Sequence, residues 1–332
     1  PRSPLLPPLR VTRPPGAQDR LTQSVRHSDG VTRRMGGDAI EHKQTLLAFQ
    51  PVMRASDPTR VAFYEGLIRV LDATGRIIPA KDFMHSIEET ETGREIDVLA
   101  LRMGLSALHD NPGLRLSINM SARSIGYQAW NRMLRRWLDR DATIGERLIL
   151  EITESSAMQV PELVVDFMDK LQPHGICFAM DDFGAGHTAI RYFKDFYFDI
   201  LKLDGQFIRG VAHDPDNQVL TNAMLSIAEQ FEMICIAESV ETAEDAHYLQ
   251  RIGMDCLQGY FFGAPTVRPP WDTTAWASAS AGNPAPSLTC DNRPVAGSRT
   301  MGSHANKAGG LRASTHGRPP LAPGPARRRW RE

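Results

Sequence analysis

The chain has few cysteines for its 332 residues. Cys177, Cys235, Cys256 and Cys290 stand far apart and form no C-x-x-C pair, which disfavours a disulfide framework or a zinc ribbon. Reduced thiols fit the cytosol, and a cytoplasmic location is expected. Long apolar runs are missing too. No stretch of 18 residues is continuously apolar, and the proline-rich opening segment holds no signal-peptide core, so no membrane span or secretion signal is expected within this chain. Pro1 in place of an initiator Met leaves room for upstream sequence. Histidines lack the H-E-x-x-H spacing of a zinc protease. What remains is 42% hydrophobic and 23% charged, enough for a buried core in one large or two small domains.

Net charge is −1 overall but unevenly spread. Residues 1–44 carry +4 and residues 272–332 carry +6, which leaves −11 on residues 45–271. So acidic a core does not suit a phosphate backbone, and no DNA partner is expected. An anionic small substrate would need local cations to offset the field, and bound metal ions supply them economically.

The two ends read as tails. Residues 1–44 are rich in Pro and Arg, and residues 272–332 in Gly, Pro, Ala and Arg, both without hydrophobic period. Disorder is expected for both. Between them, short apolar runs at 46–53, 62–70, 114–121, 147–153, 175–183, 198–205, 232–239 and 256–263 read as strands. Stretches with three- and four-residue apolar spacing at 94–109, 124–139, 161–171, 217–231 and 243–252 read as helices. Eight strands alternating with helices predict an α/β fold, a (β/α)8-like TIM barrel, over residues 45–271. The first two strands have no long helix between them, so one strand can run antiparallel. An open doubly wound sheet is the alternative.

In such a barrel, chemistry stands at the C-terminal strand ends. Seven of the eight runs carry a polar group there: Glu65, Asn119, Glu151, the pair Asp181-Asp182, Lys202, Glu238 and Gln258. Converging buried carboxylates require cations. Oxygen ligands without His or Cys favour Mg²⁺ or Mn²⁺ over Zn²⁺. The adjacent aspartates could share two ions, as two-metal phosphoester hydrolysis requires.

Eight segments carry a resemblance. They are Phe49-Gln50-Pro51-Val52, Glu65-Gly66-Leu67-Ile68-Arg69, Ser117-Ile118-Asn119-Met120-Ser121, Leu150-Glu151-Ile152-Thr153-Glu154-Ser155, Asp181-Asp182-Phe183-Gly184-Ala185-Gly186, Asp199-Ile200-Leu201-Lys202-Leu203-Asp204, Ala237-Glu238-Ser239-Val240-Glu241-Thr242 and Gln258-Gly259-Tyr260. In this order they span the core, and residues 45–271 resemble the EAL-domain family, bacterial phosphodiesterases that use Mg²⁺ or Mn²⁺ to open cyclic di-GMP to linear pGpG.

The resemblance implies a role for each residue. Glu65, Asn119, Glu151 and Asp181 would hold one ion, and Asp181 with Asp182 a second. Lys202 would steady the attacking water and the developing phosphorane charge, with Glu238 as general base. Gln50, Arg69 and Gln258 would bind substrate, Arg69 through a phosphate. Glu154 would anchor the loop after Asp182. A homodimer through the barrel helices is also implied. The sequence departs from the family at Gly66, where Ala is usual, at His187-Thr188-Ala189, and at Ser239, which replaces a glycine. Ser239 would strain the backbone if φ > 0 is needed there.

A second possibility is an EAL domain that binds cyclic di-GMP as a receptor without hydrolysing it. A third is an unrelated carboxylate-rich barrel such as an enolase-like metal enzyme. Asp182-Phe183-Gly184 has the form of a kinase metal motif, but no His-Arg-Asp or Gly-rich loop accompanies it. Gly36-Gly37-Asp38 has the form of a cyclase signature but lies too close to Phe49. A Schiff-base role for Lys202 is opposed by the surrounding acids, which would raise its pKa. The aromatic cluster Phe193, Phe196, Tyr197 and Phe198 reads as packing. Sensor domain, input signal and regulatory partner leave no trace in the sequence.

Overall fold

Strands β1 (Thr45–Arg54) and β2 (Asp57–Leu71) are separated by two residues, too few for the crossover that parallel strands need, so they form an antiparallel hairpin. Its register sets Gln50 beside Glu65 and Val52 beside Phe63. These elements belong to a computed structural model that describes residues 45–71, 74–79, 82–87, 90–186 and 195–271. Both tails, Gly36-Gly37-Asp38, His187-Thr188-Ala189 and Phe193 lie outside the described residues.

After β3 (Ile77–Pro79), which pairs with the far end of β2, strands and helices alternate. The order is α1 (Met84–Ile87), α2 (Glu91–Asp110), β4 (Leu116–Asn119), α3 (Gln128–Arg140), β5 (Leu148–Thr153), α4 (Glu154–Gln159), α5 (Pro161–Leu171), β6 (Cys177–Phe183) and β7 (Ile200–Leu203). It ends with α6 (Gly205–Ile208), α7 (Pro215–Gln230), β8 (Ile234–Ala237), α8 (Ala243–Arg251) and β9 (Cys256–Gln258). Strands β2 and β4 to β9 run parallel around a ring, and β1 closes it by pairing antiparallel with both β2 and β9. The expected eight-stranded barrel with one antiparallel strand is therefore observed. Closure of β9 onto β1 rules out the open sheet. The ninth strand, β3, lies outside the ring and was not expected. The run 256–263 is strand only to Gln258, because Gly259 and its neighbours turn away.

Local signals explain the helices. In α3, Trp130 and Leu134 are buried one turn apart, while Arg132, Arg135, Arg136 and Arg140 face water. Pro opens both α5 and α7, and the Asp214 side chain accepts from the amides of Asp216 and Asn217 to cap α7. Of the expected aromatic cluster, Phe196 and Phe198 are buried with ring centroids 5.4 Å apart.

Alternation along the strands divides the barrel interior into two layers. Val52, Phe63, Ile149, Cys177, Ala179, Ile200, Ile234, Ile236 and Cys256 form an apolar plug. Two residues further along each of β2, β5, β6, β7, β8 and β9 come Glu65, Glu151, Asp181, Lys202, Glu238 and Gln258. Strand β1 runs the other way, so its polar residue, Gln50, precedes Val52. The reversed strand thus delivers its amide to the same end of the barrel.

Asp199, at the entrance to β7, accepts from Phe178 N at 2.9 Å. Burial pushes its carboxyl up to about 6, with the Phe178 and Gln172 bonds pulling the other way. The folded chain then holds this proton to higher pH than the unfolded chain, whose carboxyl ionises near 3.8. Asp199 therefore favours folding below pH 4, and this contribution is lost as pH rises through about 6. Asp199→Asn should flatten the profile by on the order of 1–3 kcal/mol between pH 4 and 7. Urea unfolding at both pH values checks this, and an unchanged difference between variant and wild type would count against it.

Candidate active site

Lys202 sits at the centre of the polar layer, with 1% of its side chain exposed. Its Nζ lies 2.6 Å from Glu151 Oε2, 2.7 Å from Glu238 Oε1, 3.0 Å from Asp181 Oδ1 and 3.6 Å from Glu65 Oε2. Four strands thus direct carboxylates at one ammonium. Burial alone would lower the Lys202 pKa, but the carboxylates, Asp181 and Glu151 foremost, outweigh it and hold the group well above its ordinary value. So raised a proton affinity keeps Lys202 an ammonium and opposes a Schiff-base role.

One cation cannot balance so many acids. Burial pushes Glu151 up to about 8 against the pull of Lys202, with Glu65 and Asp181 adding to the rise. Burial likewise raises Glu238 well above the carboxylate range, again opposed by Lys202. Asp182 rises to about 6 through burial and the neighbouring Asp181.

The donor set suits hard divalent ions. Glu65, Glu151 and Asp181 each offer an oxygen within 4.8 Å of the others, and so do Asp181, Asp182 and Glu238. Glu151 Oε1 is fully buried with no hydrogen-bond partner, a state that costs several kcal/mol unless a cation meets it. The sets contain carboxylates only, which points away from Zn²⁺.

Consecutive strand residues normally face opposite ways, so Asp181 and Asp182 need a local device to share a site. Asp182 has φ 54, and the β6 to β7 ladder loses register between Met180 and Phe183. Aspartate tolerates this left-handed conformation better than most residues. Glu154 Oε2 accepts from Gly184 N at 3.0 Å, tying down the turn from the head of α4.

The amides orient Glu65. Asn119 Nδ2 donates to Glu65 Oε1 at 2.7 Å, and Gln258 Nε2 donates to Glu65 Oε2 at 2.6 Å. Gln258 also reaches Gln50 Oε1 at 3.2 Å, and Gln50 Nε2 donates to Gly263 O at 3.1 Å. Both glutamines are therefore engaged with protein atoms. Arg69 stands four residues past Glu65 on β2, half-buried, donating to Ile68 O at 2.9 Å. Burial lowers its pKa, and the fields of Glu65 and Tyr260 oppose that.

At Gly66 a Cβ would lie 2.7 Å from Ile118 Cδ1. Ile118 occupies the room that an alanine methyl would need.

One supporting residue was missed in the sequence. Asp97 of α2 is buried, accepting from Ser121 N at 3.0 Å and Ser124 Oγ at 2.6 Å. Ala122 N donates to Ser156 Oγ of α4 at 2.9 Å. Together these bonds fasten the loop that follows Asn119. Its signal was an acid between Ile96 and Ala100 on the buried stripe of a helix.

Lys202→Met should destabilise the fold by about 3–5 kcal/mol at pH 7.5, since buried carboxylates lose their partner. The deficit should narrow at pH 5 as those acids take up protons. Denaturant unfolding at both pH values reads this, and a deficit independent of pH would contradict the assignment.

The sequence profile described as EAL domain matches residues 34–265. The bifunctional diguanylate cyclase/cyclic di-GMP phosphodiesterase MucR of Pseudomonas aeruginosa is 28% identical over 232 residues, 68% of this chain and 34% of that protein. The cyclic di-GMP phosphodiesterase PdeB of Shewanella oneidensis is 28% identical over 231 residues, 68% of this chain and 27% of that protein. The chain thus spans about a third or less of the length of these relatives. The solved structure of the PaMucR phosphodiesterase in complex with c-di-GMP superposes with a TM-score of 0.64 at 27% identity, covering 71% of this chain and 97% of that one. With a matching profile over most of its length and the same closed barrel, the chain belongs to the EAL domain family.

Proposed function

We propose that this chain hydrolyses cyclic di-GMP to linear pGpG, with residues 45–271 as the working unit and Mg²⁺ or Mn²⁺ as cofactor. The observation that carries this reading is the carboxylate cluster with its unpartnered, fully buried Glu151 oxygen. Family membership and the names of the relatives support the substrate.

Glu65, Asn119, Glu151 and Asp181 would hold one ion, and Asp181 with Asp182 a second. When bound, the ions supply electrophilic stabilisation of the phosphoryl group under attack. The rest falls to the chain itself. Lys202, held as an ammonium, faces the charge that develops on the phosphoryl oxygens. Glu238 Oε1 is engaged by Lys202, leaving Oε2 to take a proton from the attacking water. Burial raises the proton affinity of Glu238, which a base at neutral pH needs. Water oxygen bonds to phosphorus, the bond from phosphorus to O3′ breaks, and O3′ takes up a proton, leaving the 5′-phosphate of pGpG. Arg69 would contact a substrate phosphate, Gln258 steadies Glu65, and Gln50 and Gln258 would border the substrate.

A homodimer fits the exposed apolar residues of α7, where Val219 is 69% and Leu220 46% exposed. The buried Cys177, Cys235 and Cys256 suit a cytoplasmic setting. Among the described residues, no helix is long and apolar enough to cross a membrane.

A receptor without turnover is the second reading, favoured by one observation: Ser239, next to Glu238, has φ 55. Incubating the full chain with cyclic di-GMP, with and without Mg²⁺ or Mn²⁺, separates the two. Metal-dependent pGpG supports the enzyme. Calorimetric binding without product supports the receptor, and absence of both product and binding would remove both readings. Glu238→Gln should keep cyclic di-GMP binding while lowering kcat at least about 10²-fold. Asp181→Asn should weaken Mn²⁺ binding in titration calorimetry as well as turnover, and an unchanged titration would place the ions elsewhere.

A further inference from the structure

The chain leaves β8 through Glu238 and at once enters the left-handed region at Ser239, φ 55. A residue with a Cβ is disfavoured in that conformation, and surrounding contacts must hold it. They are specific here. Arg209 Nη2 donates to Ser239 Oγ at 3.0 Å, and Arg209 Nε stands 3.4 Å from Glu241 Oε1. Gly205, which opens α6, leaves the room that Ser239 fills: a Cβ on Gly205 would lie 2.6 Å from Ser239 Cβ. Across the segment, Val240 N donates to Gln258 O at 2.9 Å and Phe261 N to Val240 O at 3.1 Å. A Cβ on Gly259 would lie 2.7 Å from the Val240 carbonyl carbon.

The arginine end is fastened as well. Gly210 N and Ala212 N donate to the buried Asp245 of α8 at 3.1 and 2.9 Å, and Thr242 Oγ1 donates to the same carboxylate at 2.9 Å. The segments after β7 and β8 are thus joined at Arg209 and again just beyond it, at Gly210 and Ala212. As an exposed ion pair, Arg209 with Glu241 adds little to stability. Its effect is geometric, because the guanidinium spans Ser239 and Glu241 with two different nitrogens, which lysine cannot do.

We propose that Arg209 and Ser239 are positioning residues that hold the Glu238 carboxylate against Lys202. The proposal rests on Glu238 as the base of the reaction above. Within it, Ser239 supplies through its hydroxyl a fixed backbone where a glycine would leave the turn free.

The test uses the full chain and the variants Arg209→Ala, Arg209→Lys, Ser239→Ala and Ser239→Gly, each first shown by circular dichroism to be folded. Arg209→Ala and Ser239→Ala should lower kcat about tenfold with KM changed less than about twofold, since the base shifts while substrate contacts stay. Ser239→Gly should fall between Ser239→Ala and wild type, because strain is lost along with the hydrogen bond. Arg209→Lys should recover part of the loss. Gly205→Ala should lower kcat more in the wild-type background than in Ser239→Gly, where the methyl has room.

Amide hydrogen exchange at Glu238 and Val240 gives a readout independent of turnover, and it should rise in both alanine variants while β5 and β6 stay protected. If the wild type makes no pGpG, the phosphodiesterase reading fails and exchange alone judges the two residues. Unchanged exchange then overturns the proposal. In an active enzyme, kcat unchanged in both alanine variants overturns it, whatever the exchange shows.

Discussion

The Lys202 ammonium among Glu65, Glu151, Asp181 and Glu238 is the interaction on which the rest of the barrel mouth depends. A buried lysine is costly alone, and so is each buried acid. Together they remain costly by one sign, because the acids outnumber the lysine. That imbalance gives the site its chemistry. It keeps Lys202 charged, adds to the rise that burial gives Glu151 and Glu238, and leaves a carboxylate oxygen without a protein partner. A hydrophobic replacement would pack as well and would have no use for a cation.

The apolar plug beneath makes this layer possible. Nine apolar side chains close the lower barrel to water, so that the carboxylates above interact in a medium of low dielectric. Their direction is set outside the barrel. Asp97 fastens the loop after β4, Glu154 the turn after β6, and Asp245 the loop after β7. Each is a buried acid at the start or on the inner face of a helix, accepting backbone amides that would otherwise be unpaired. The site is therefore surrounded by a second set of acids whose work is positional.

The antiparallel β1 shows how topology and chemistry agree. Reversal would carry the polar member of an inner pair to the wrong end if the order of residues stayed the same. Here Gln50 comes before Val52, and its amide meets Gln258 across the closing seam of the ring. The hairpin that reverses the strand and the order of two residues on it solve one problem together.

Much of this was legible in the sequence. Alternation of apolar runs with amphipathic stretches determined the α/β class and the five longer helices, since periodicity is a local property, whereas the short α1, α4 and α6 left no such pattern. Polar residues interrupting the strand ends marked which side chains would meet, because all the parallel strands end on one face. The short β3 and the early end of β9 at Gln258 could not be read, as each depends on what lies beside it in space, and Asp97 was marked only by its place on the apolar stripe of a helix. Likewise, the sequence placed two aspartates in succession, but only the folded chain turned Asp182 to φ 54 so that both face one site. Composition and spacing determine which groups arrive at the barrel mouth. Their orientation, pKa and partners follow from closure of the ring, because burial and the approach of distant strands exist only in three dimensions.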